Sequence, residues 1–365
     1  MSDMPEAAGE LCLSEEIVDS IRVHERAEQM PSIPVGPFVH LDDGAILSVA
    51  GRDPSQVCIS RDSGGTWDEH PVVPPGSDTA VAYTGALLRS RNGTIVLGFV
   101  NTAARNWTWD DELKDAPGAR LPTCAMRSLD EGQTWQDLQT LHEEWTGATR
   151  DIIELRDGRI VFTSMKMRHN PGRHTVLCYF SDDDGATWKG SNVMDLGGNG
   201  HHDGVTEGSI IELRDGRLLQ YMRTNWGFLW RAESTDVGET WHPYGPTGIP
   251  ASSTPPMLKR LASGRILLLW NRPYPANHDS YPLMGGDGTW SATPASNFRA
   301  ELSMSFSEDE CATWTPSTVI ARSEDEERRA EVCYPYAFEP EPGTLWITAH
   351  RWGLRMSLRE EDFLS

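Results

Sequence analysis

The chain has 365 residues, 32 Lys and Arg against 54 Asp and Glu, and a formal net charge of −22 at pH 7. That excess of acid disfavours nucleic acid and anionic membrane as partners, and an anionic ligand would have to be held by arginines gathered locally. With 33 Gly, 24 Pro and 14 Trp, the composition favours turns and packed aromatic strands over long helices.

From the N-terminus, Met1 to Glu10 includes acids and no apolar run. This predicts no signal peptide, no membrane span and a cytoplasmic location. Ile17 to Val23 is expected to pair near the last repeat and help close the structure, so residues 1–25 read as an N-terminal arm.

Two repeats then alternate along the chain. The first is a pair of short apolar runs around a Gly turn, a hairpin signal. It starts with Phe38-Val39-His40-Leu41-Asp42-Asp43-Gly44-Ala45-Ile46-Leu47 and returns around Asn92-Gly93, Asp157-Gly158, Asp215-Gly216, Ser263-Gly264 and Pro342-Gly343. The third and fourth copies are nearly identical, Ile152-Ile153-Glu154-Leu155-Arg156-Asp157-Gly158 and Ile210-Ile211-Glu212-Leu213-Arg214-Asp215-Gly216. The second repeat is a box, Ser-x-Asp-x-Gly-x-Thr-Trp, at Ser60 to Trp67, Ser128 to Trp135, Ser181 to Trp188 and Ser234 to Trp241. A fifth box, Ser307 to Trp314, carries Cys311 in the glycine's place. In each box the Asp can accept backbone N–H groups, the Gly supplies positive φ, and the Trp opens a strand.

Six hairpins, the first five each followed by one box, give a unit of strand A, Gly turn, strand B, variable connection, strand C, box turn, strand D. Six such units predict an all-β fold, a six-bladed β-propeller of four-stranded antiparallel blades, as one domain over residues 1–365. In the last unit the final strand is expected near Leu354 to Leu358. The six cysteines are scattered without metal spacing, which predicts buried free thiols and no metal or other cofactor.

Strand direction places all Gly turns and boxes on one face, leaving what does not repeat on the other. That face gathers Ser32, Arg150 with Asp151, Glu207 and Tyr334 from A-strand starts, and Arg52 with Asp53, Arg223 and Arg272 from B-strand ends. Two long connections, Val100 to Pro122 with Trp107 and Trp109, and Asn271 to Phe298 with Tyr281 and Trp290, supply candidate binding walls.

Five boxes, six hairpins, the run Gly204-Val205-Thr206-Glu207-Gly208-Ser209-Ile210-Ile211-Glu212-Leu213 followed by Tyr221-Met222-Arg223, and the late Tyr334-Pro335-Tyr336 together resemble the sialidase (exo-α-neuraminidase) superfamily. The resemblance covers about Pro31 to Trp352. It implies that Glu207 is the base that activates Tyr334 to attack an anomeric carbon, with Tyr336 the rival for that place. It also implies that Arg223 and Arg299 grip the substrate carboxylate, because a guanidinium fork matches a carboxylate bidentately. Chemistry supports the pairing: a neutral phenol with a nearby base can approach an anionic sugar that would repel a carboxylate.

Departures from the superfamily are equally plain. Where its members commonly begin the first A strand with Arg-Ile-Pro, this chain has Ser32-Ile33-Pro34, so either a third cation comes from elsewhere, such as Arg52 or Arg150, or the substrate is not a standard sialoside. The superfamily's acid matches Asp53 in a shortened loop, with Asp151 the substitute. His201-His202-Asp203 has no counterpart there; it could donate protons, hold a divalent metal or cap a loop, and His202 is counted among the substrate-binding candidates. The expected function is a sialidase-like exo-glycoside hydrolase acting on a glycan or small acidic sugar. The alternatives are a lyase or hydrolase for uronic-acid glycans, or a carbohydrate-binding propeller without catalysis.

Overall fold

A computed structural model describes residues 20–49, 55–74, 76–81, 85–324, 331–349 and 353–364. The box turns show why the repeat has its spacing. In the third, one Asp183 carboxylate oxygen accepts the Ser181 hydroxyl at 2.8 Å and the Thr187 amide at 2.8 Å. The other oxygen accepts the Thr187 hydroxyl at 2.6 Å, while the Ser181 oxygen receives the Gly185 amide at 2.8 Å. One carboxylate thus satisfies the turn's donors at i+4, and the glycine takes a φ of 79°. In the fifth box Cys311 adopts the same left-handed conformation at φ 69° and keeps the hydrogen bond from its amide to Ser307.

The blades follow in chain order, each antiparallel. Blade 1 comprises Phe38–His40, Ile46–Val49, Gln56–Ser60 and Asp68–Pro71; blade 2, Ala86–Arg89, Ile95–Val100, Arg120–Ser128 and Gln136–Glu144. Blade 3 has Ile152–Glu154, Ile160–Arg168, Arg173–Ser181 and Lys189–Gly190; blade 4, Val205–Glu212, Leu218–Thr224, Phe228–Ser234 and Tyr244–Pro250. Blade 5 is built from Met257–Arg260, Ile266–Trp270, Glu301–Ser307 and Thr318–Ser323, and blade 6 from Pro335–Glu341, Thr344–Ala349 and Arg355–Arg359. Each innermost strand touches the next, and that of blade 6 closes onto that of blade 1, giving a six-bladed propeller.

The N-terminal segment closes the ring differently from the expectation. Ala27–Gln29 pairs with Arg355–Arg359 as the outer strand of blade 6, whereas Ile21–Val23 adds a fifth strand to blade 5. The first A strand begins at Phe38, not near Ser32. The Ser32 hydroxyl lies 3.5 Å from the carbonyl of Gly64, the box glycine of blade 1, so it does not face the site side.

Apolar side chains pack between blades. Gly98 is tight because Phe162 of blade 3 lies against it, and a Cβ there would stand 2.5 Å from that ring. The near-identity of the third and fourth hairpins also has a physical cause. Arg91 reaches forward to Glu154, and Arg156 reaches forward to Glu212, through both Nε and the backbone amide at 2.9–3.0 Å. Each hairpin arginine thereby latches its blade to the next. Around the axis the six inner strands enclose a channel of about 480 Å³, with Arg150, Asp151 and Tyr336 at one end and Arg156 and Arg214 at the other. Among the described residues no helix is long and apolar enough to cross a membrane.

Candidate functional site

Among the described residues twelve non-glycine residues have positive φ, and several of them occupy box turns, as Ser63, Glu131, Asp184, Val237 and Glu310 do. Two others stand where innermost strands begin: Glu207 at φ 28° and Tyr334 at φ 62°. Unfavourable backbone away from a turn is a mark of a site whose surroundings hold it in place. Glu207 also sits at a register shift between strands A and B of blade 4, and a bulge of this kind re-aims a side chain.

The aim is toward Arg223. Its Nη1 donates to Glu207 at 2.7 Å and to the Tyr334 hydroxyl oxygen at 3.2 Å. Its Nε donates to the Ser253 hydroxyl at 3.0 Å, which in turn donates to Asn225 at 2.6 Å. Burial alone would raise the Glu207 carboxyl, but the Arg223 and Arg150 charges and the hydrogen bond from Tyr334 bring it below its ordinary value. Glu207 is therefore a carboxylate at neutral pH, able to accept the phenol's proton.

Arg299 and Arg150 complete the surroundings of the tyrosine. The Arg299 guanidinium lies 6.0 Å from the Tyr334 ring centre and donates to the Ser253 carbonyl at 2.9 Å and to Glu331 at 3.3 Å. Its Nε has no hydrogen-bond partner among the described residues. Arg150 is 2% exposed, 5.4 Å from the Tyr334 ring and 4.6 Å from that of Tyr336, and its Nε and Nη1 likewise lack partners among the described residues. It donates to the Pro335 carbonyl at 2.7 Å. Three arginines from blades 3, 4 and 5 thus converge on one phenol.

The remaining predicted residues fall elsewhere. Arg52 and Asp53 lie outside the described residues. Asp151 is committed to blade 4, where one carboxylate oxygen accepts the Ser209 hydroxyl at 2.6 Å and the Ile210 amide at 2.9 Å. Burial raises its pKa, and these bonds explain its place better than a role as acid. Tyr336 is 3% exposed, donates to the Gly85 carbonyl at 3.1 Å and lies under Arg150, so it supports the site rather than competing for it. Arg272 pairs with Glu301 at 3.0 Å.

His202 is half-buried, its ring 5.4 Å from that of Trp290 and tilted 18° from parallel to it. Burial, helped by His201, Arg223, His174 and Arg299, holds its imidazole well below the usual histidine value, so it is neutral at pH 7. Asp203 caps its loop: one oxygen accepts the Gly204 amide, the other the amides of Asn199 and Ala292. Its carboxylate is thereby occupied, and no three His, Cys, Asp or Glu among the described residues are grouped to hold a metal.

Residues 56–347 match the BNR repeat-like domain. The chain belongs to that family. Within it, the chain is similar to the sialidase of Micromonospora viridifaciens, 26% identical over 238 residues that make up 59% of this chain and 35% of that protein. It is also similar to the anhydrosialidase of Macrobdella decora, 30% identical over 128 residues, 32% of this chain and 16% of that one. The chain thus spans about a third or less of the length of these relatives. Among solved structures it superposes on the NanB sialidase of Streptococcus pneumoniae with a TM-score of 0.59 and 13% identity, covering 96% of this chain and 73% of that one. At that identity the likeness is one of fold.

Sequence reasoning passed over Ser253, Asn225 and His174. Ser253 is open to the same logic as Tyr334, since it lies just before the innermost strand of blade 5. His174, from a C strand, gave no local signal. It is 5% exposed, burial drives its pKa to about 4, and its Nε2 donates to the His201 carbonyl at 3.0 Å.

Proposed function

We propose that this chain is an exo-acting glycoside hydrolase of sialidase type that removes a terminal acidic sugar. The observation that carries this reading is the contact set of Arg223 with Glu207 and Tyr334, inside a ring of three arginines. In the first step the Tyr334 oxygen attacks the anomeric carbon while its proton passes to Glu207. The glycosidic C–O bond breaks, and the departing oxygen takes a proton from an acid, for which Asp53 is the candidate. Water then attacks the glycosyl-tyrosine and gives its proton to the carboxylate of that same acid, Glu207 returns its proton to the departing phenol oxygen, and the sugar leaves with its configuration retained. Arg223 and Arg299 grip the substrate carboxylate, with Arg150 behind the phenol adding positive potential from blade 3.

The relatives' names favour this assignment, as does the burial of Arg150, Arg223 and Arg299 together, since desolvated like charges are costly to keep side by side without an anion to bind. A chromogenic sialoside tests it: the wild type should release the chromophore, and Arg299→Ala should raise KM far more than it lowers kcat. No turnover of any sialoside or other acidic glycoside would defeat the reading.

One observation favours a second reading. Neutral His202 stands near Arg223 and Arg299, where a base could remove the proton beside a gripped uronate carboxylate and eliminate the neighbouring sugar. An unsaturated product absorbing in the ultraviolet would favour it over hydrolysis.

A further inference from the structure

The innermost strands carry a charge at one position where every other blade is apolar. Counting back five residues from each hairpin glycine gives Val39, Leu88, Ile153, Ile211, Lys259 and Phe338, one from each blade. Strand register makes these positions equivalent, because they pair across their hairpins with Leu47, Val96, Val161, Leu219, Leu267 and Trp346. Blade 5 alone supplies a cation there.

Lys259 is half-buried and lines the central channel of about 480 Å³. By the same count it lies between the level of Asp151, seven residues before its glycine, and that of Arg156, two before. Ile152, Ile153, Ile210, Ile211 and Leu258 share that wall, so the ammonium stands along an apolar stretch.

Of the other four cations in the wall, three are paired. Arg260 donates to both Glu310 oxygens at 3.0 and 2.7 Å, while Arg156 and Arg214 meet Glu212 and Glu310 at 2.9 and 3.5 Å. The fourth, Arg150, adds positive potential at the end nearer Tyr334. The Lys259 ammonium has neither a hydrogen bond nor an ion pair among the described residues. The acids whose charges reach it are Asp151 and Glu339, and both are engaged elsewhere. Asp151 accepts the Ser209 hydroxyl and the amides of Ile210 and Ile152, and Glu339 accepts the amides of Ala262 and Gly343, each at 2.8 Å. Burial lowers the Lys259 ammonium from its ordinary value. A cation without a counter-charge beside an apolar wall is costly, and an anion next to it offsets that cost.

We infer that the central channel binds a small monovalent anion, of halide size, at Lys259. One uncompensated charge sets the valence, since a dianion would leave a second charge against the apolar wall. The site is separate from the arginines around Tyr334, and the inference does not rest on the proposed function.

Bromide, which scatters anomalously, locates the site. Crystals in sodium bromide should show a peak in contact with Lys259 Nζ, and Lys259→Ile, which installs the residue of blades 3 and 4, should lose it. In solution, urea unfolding of the wild type, Lys259→Ile and Lys259→Met is followed against sodium chloride, with ionic strength held constant by a bulky sulfonate. Above saturation, each tenfold rise in chloride should raise the folding equilibrium constant of the wild type about tenfold relative to both variants, because a ligand bound only to the folded chain stabilises it by mass action. Chloride held by the arginines near Tyr334 acts on all three chains alike and cancels in the comparison.

No bromide in the channel, a channel peak that survives Lys259→Ile, or the same chloride dependence in all three chains would overturn the inference. A peak in the crystal with no chloride-dependent difference in solution marks an adventitious ion only and overturns it equally. Should neither variant fold, Arg299→Ala decides: a channel peak with a chloride dependence that persists in this variant supports the site, and a dependence lost with Arg299 assigns the anion to the arginine cluster and overturns it.

Discussion

Arg223 Nη1 lies 2.7 Å from the Glu207 carboxylate, and both side chains are 5% exposed. A buried pair of this kind contributes little net stability while intact, but either partner left alone is a desolvated charge. Arg223→Met should therefore cost about 3–5 kcal/mol, whereas the double change with Glu207→Gln should recover much of that loss. Thermal unfolding of the two variants checks this, and equal melting temperatures would show that the pair is not coupled.

Glu207→Gln removes the base but keeps a side chain of the same shape. Turnover should fall by about 10²–10⁴-fold with KM nearly unchanged, because Arg223 and Arg299 still hold the substrate. Steady-state kinetics on an acidic glycoside measures both constants. A rise in KM with kcat preserved would make Glu207 a binding residue instead.

Gly204 carries the chain into the strand that presents Glu207. Its φ is +91°, and a Cβ there would come within 2.2 Å of the His174 carbonyl oxygen. Gly204→Ala should shift His174 and the loop of His201 and His202, costing at least about 1–2 kcal/mol from the left-handed backbone alone. Circular dichroism should still report the β fold while ligand affinity drops. Wild-type affinity in this variant would show that the loop is not needed for binding.

Much of the fold was legible because its determinants are local. A box binds itself within eight residues, and Asp-Gly or Asn-Gly turns act within four, so both survive as sequence patterns. Even the near-copy of the third hairpin in the fourth has its cause in a repeated contact, Arg91 to Glu154 and then Arg156 to Glu212. The convergence of Glu207, Tyr334, Arg223 and Arg299 was legible only through a resemblance that each of these residues carried. Ser32 was misplaced because the course of that segment depends on Ile33 packing beside Gly64, a contact across the chain that no spacing records. The position of Arg150 between two tyrosine rings of blade 6 is likewise set by closure of the ring.

The box aspartates make stability depend on acid in a definite direction. Exposed Asp62 is lowered chiefly by the Thr66 amide, and Asp309 by the Thr313 hydroxyl. For Asp130, Asp183 and Asp236 partial burial acts upward, yet the Thr and Ser hydrogen bonds outweigh it and the net shift is downward. A carboxyl depressed in the folded state stabilises it above the unfolded value, and that contribution is lost as pH falls through the folded value. Urea midpoints should be flat near neutrality and drop below about pH 4. A midpoint that rises between pH 5 and 3 would contradict the role given to the boxes.

Trapping the glycosyl-tyrosine addresses the proposed chemistry most directly. A fluorinated acidic sugar that forms the first intermediate and hydrolyses slowly would be incubated with the wild type and with Tyr334→Phe, and the intact masses and labelled peptides compared. One sugar should be found on Tyr334 of the wild type and none on the Phe variant. An adduct on another residue, an adduct that survives Tyr334→Phe, or steady turnover without any adduct would contradict Tyr334 as the nucleophile.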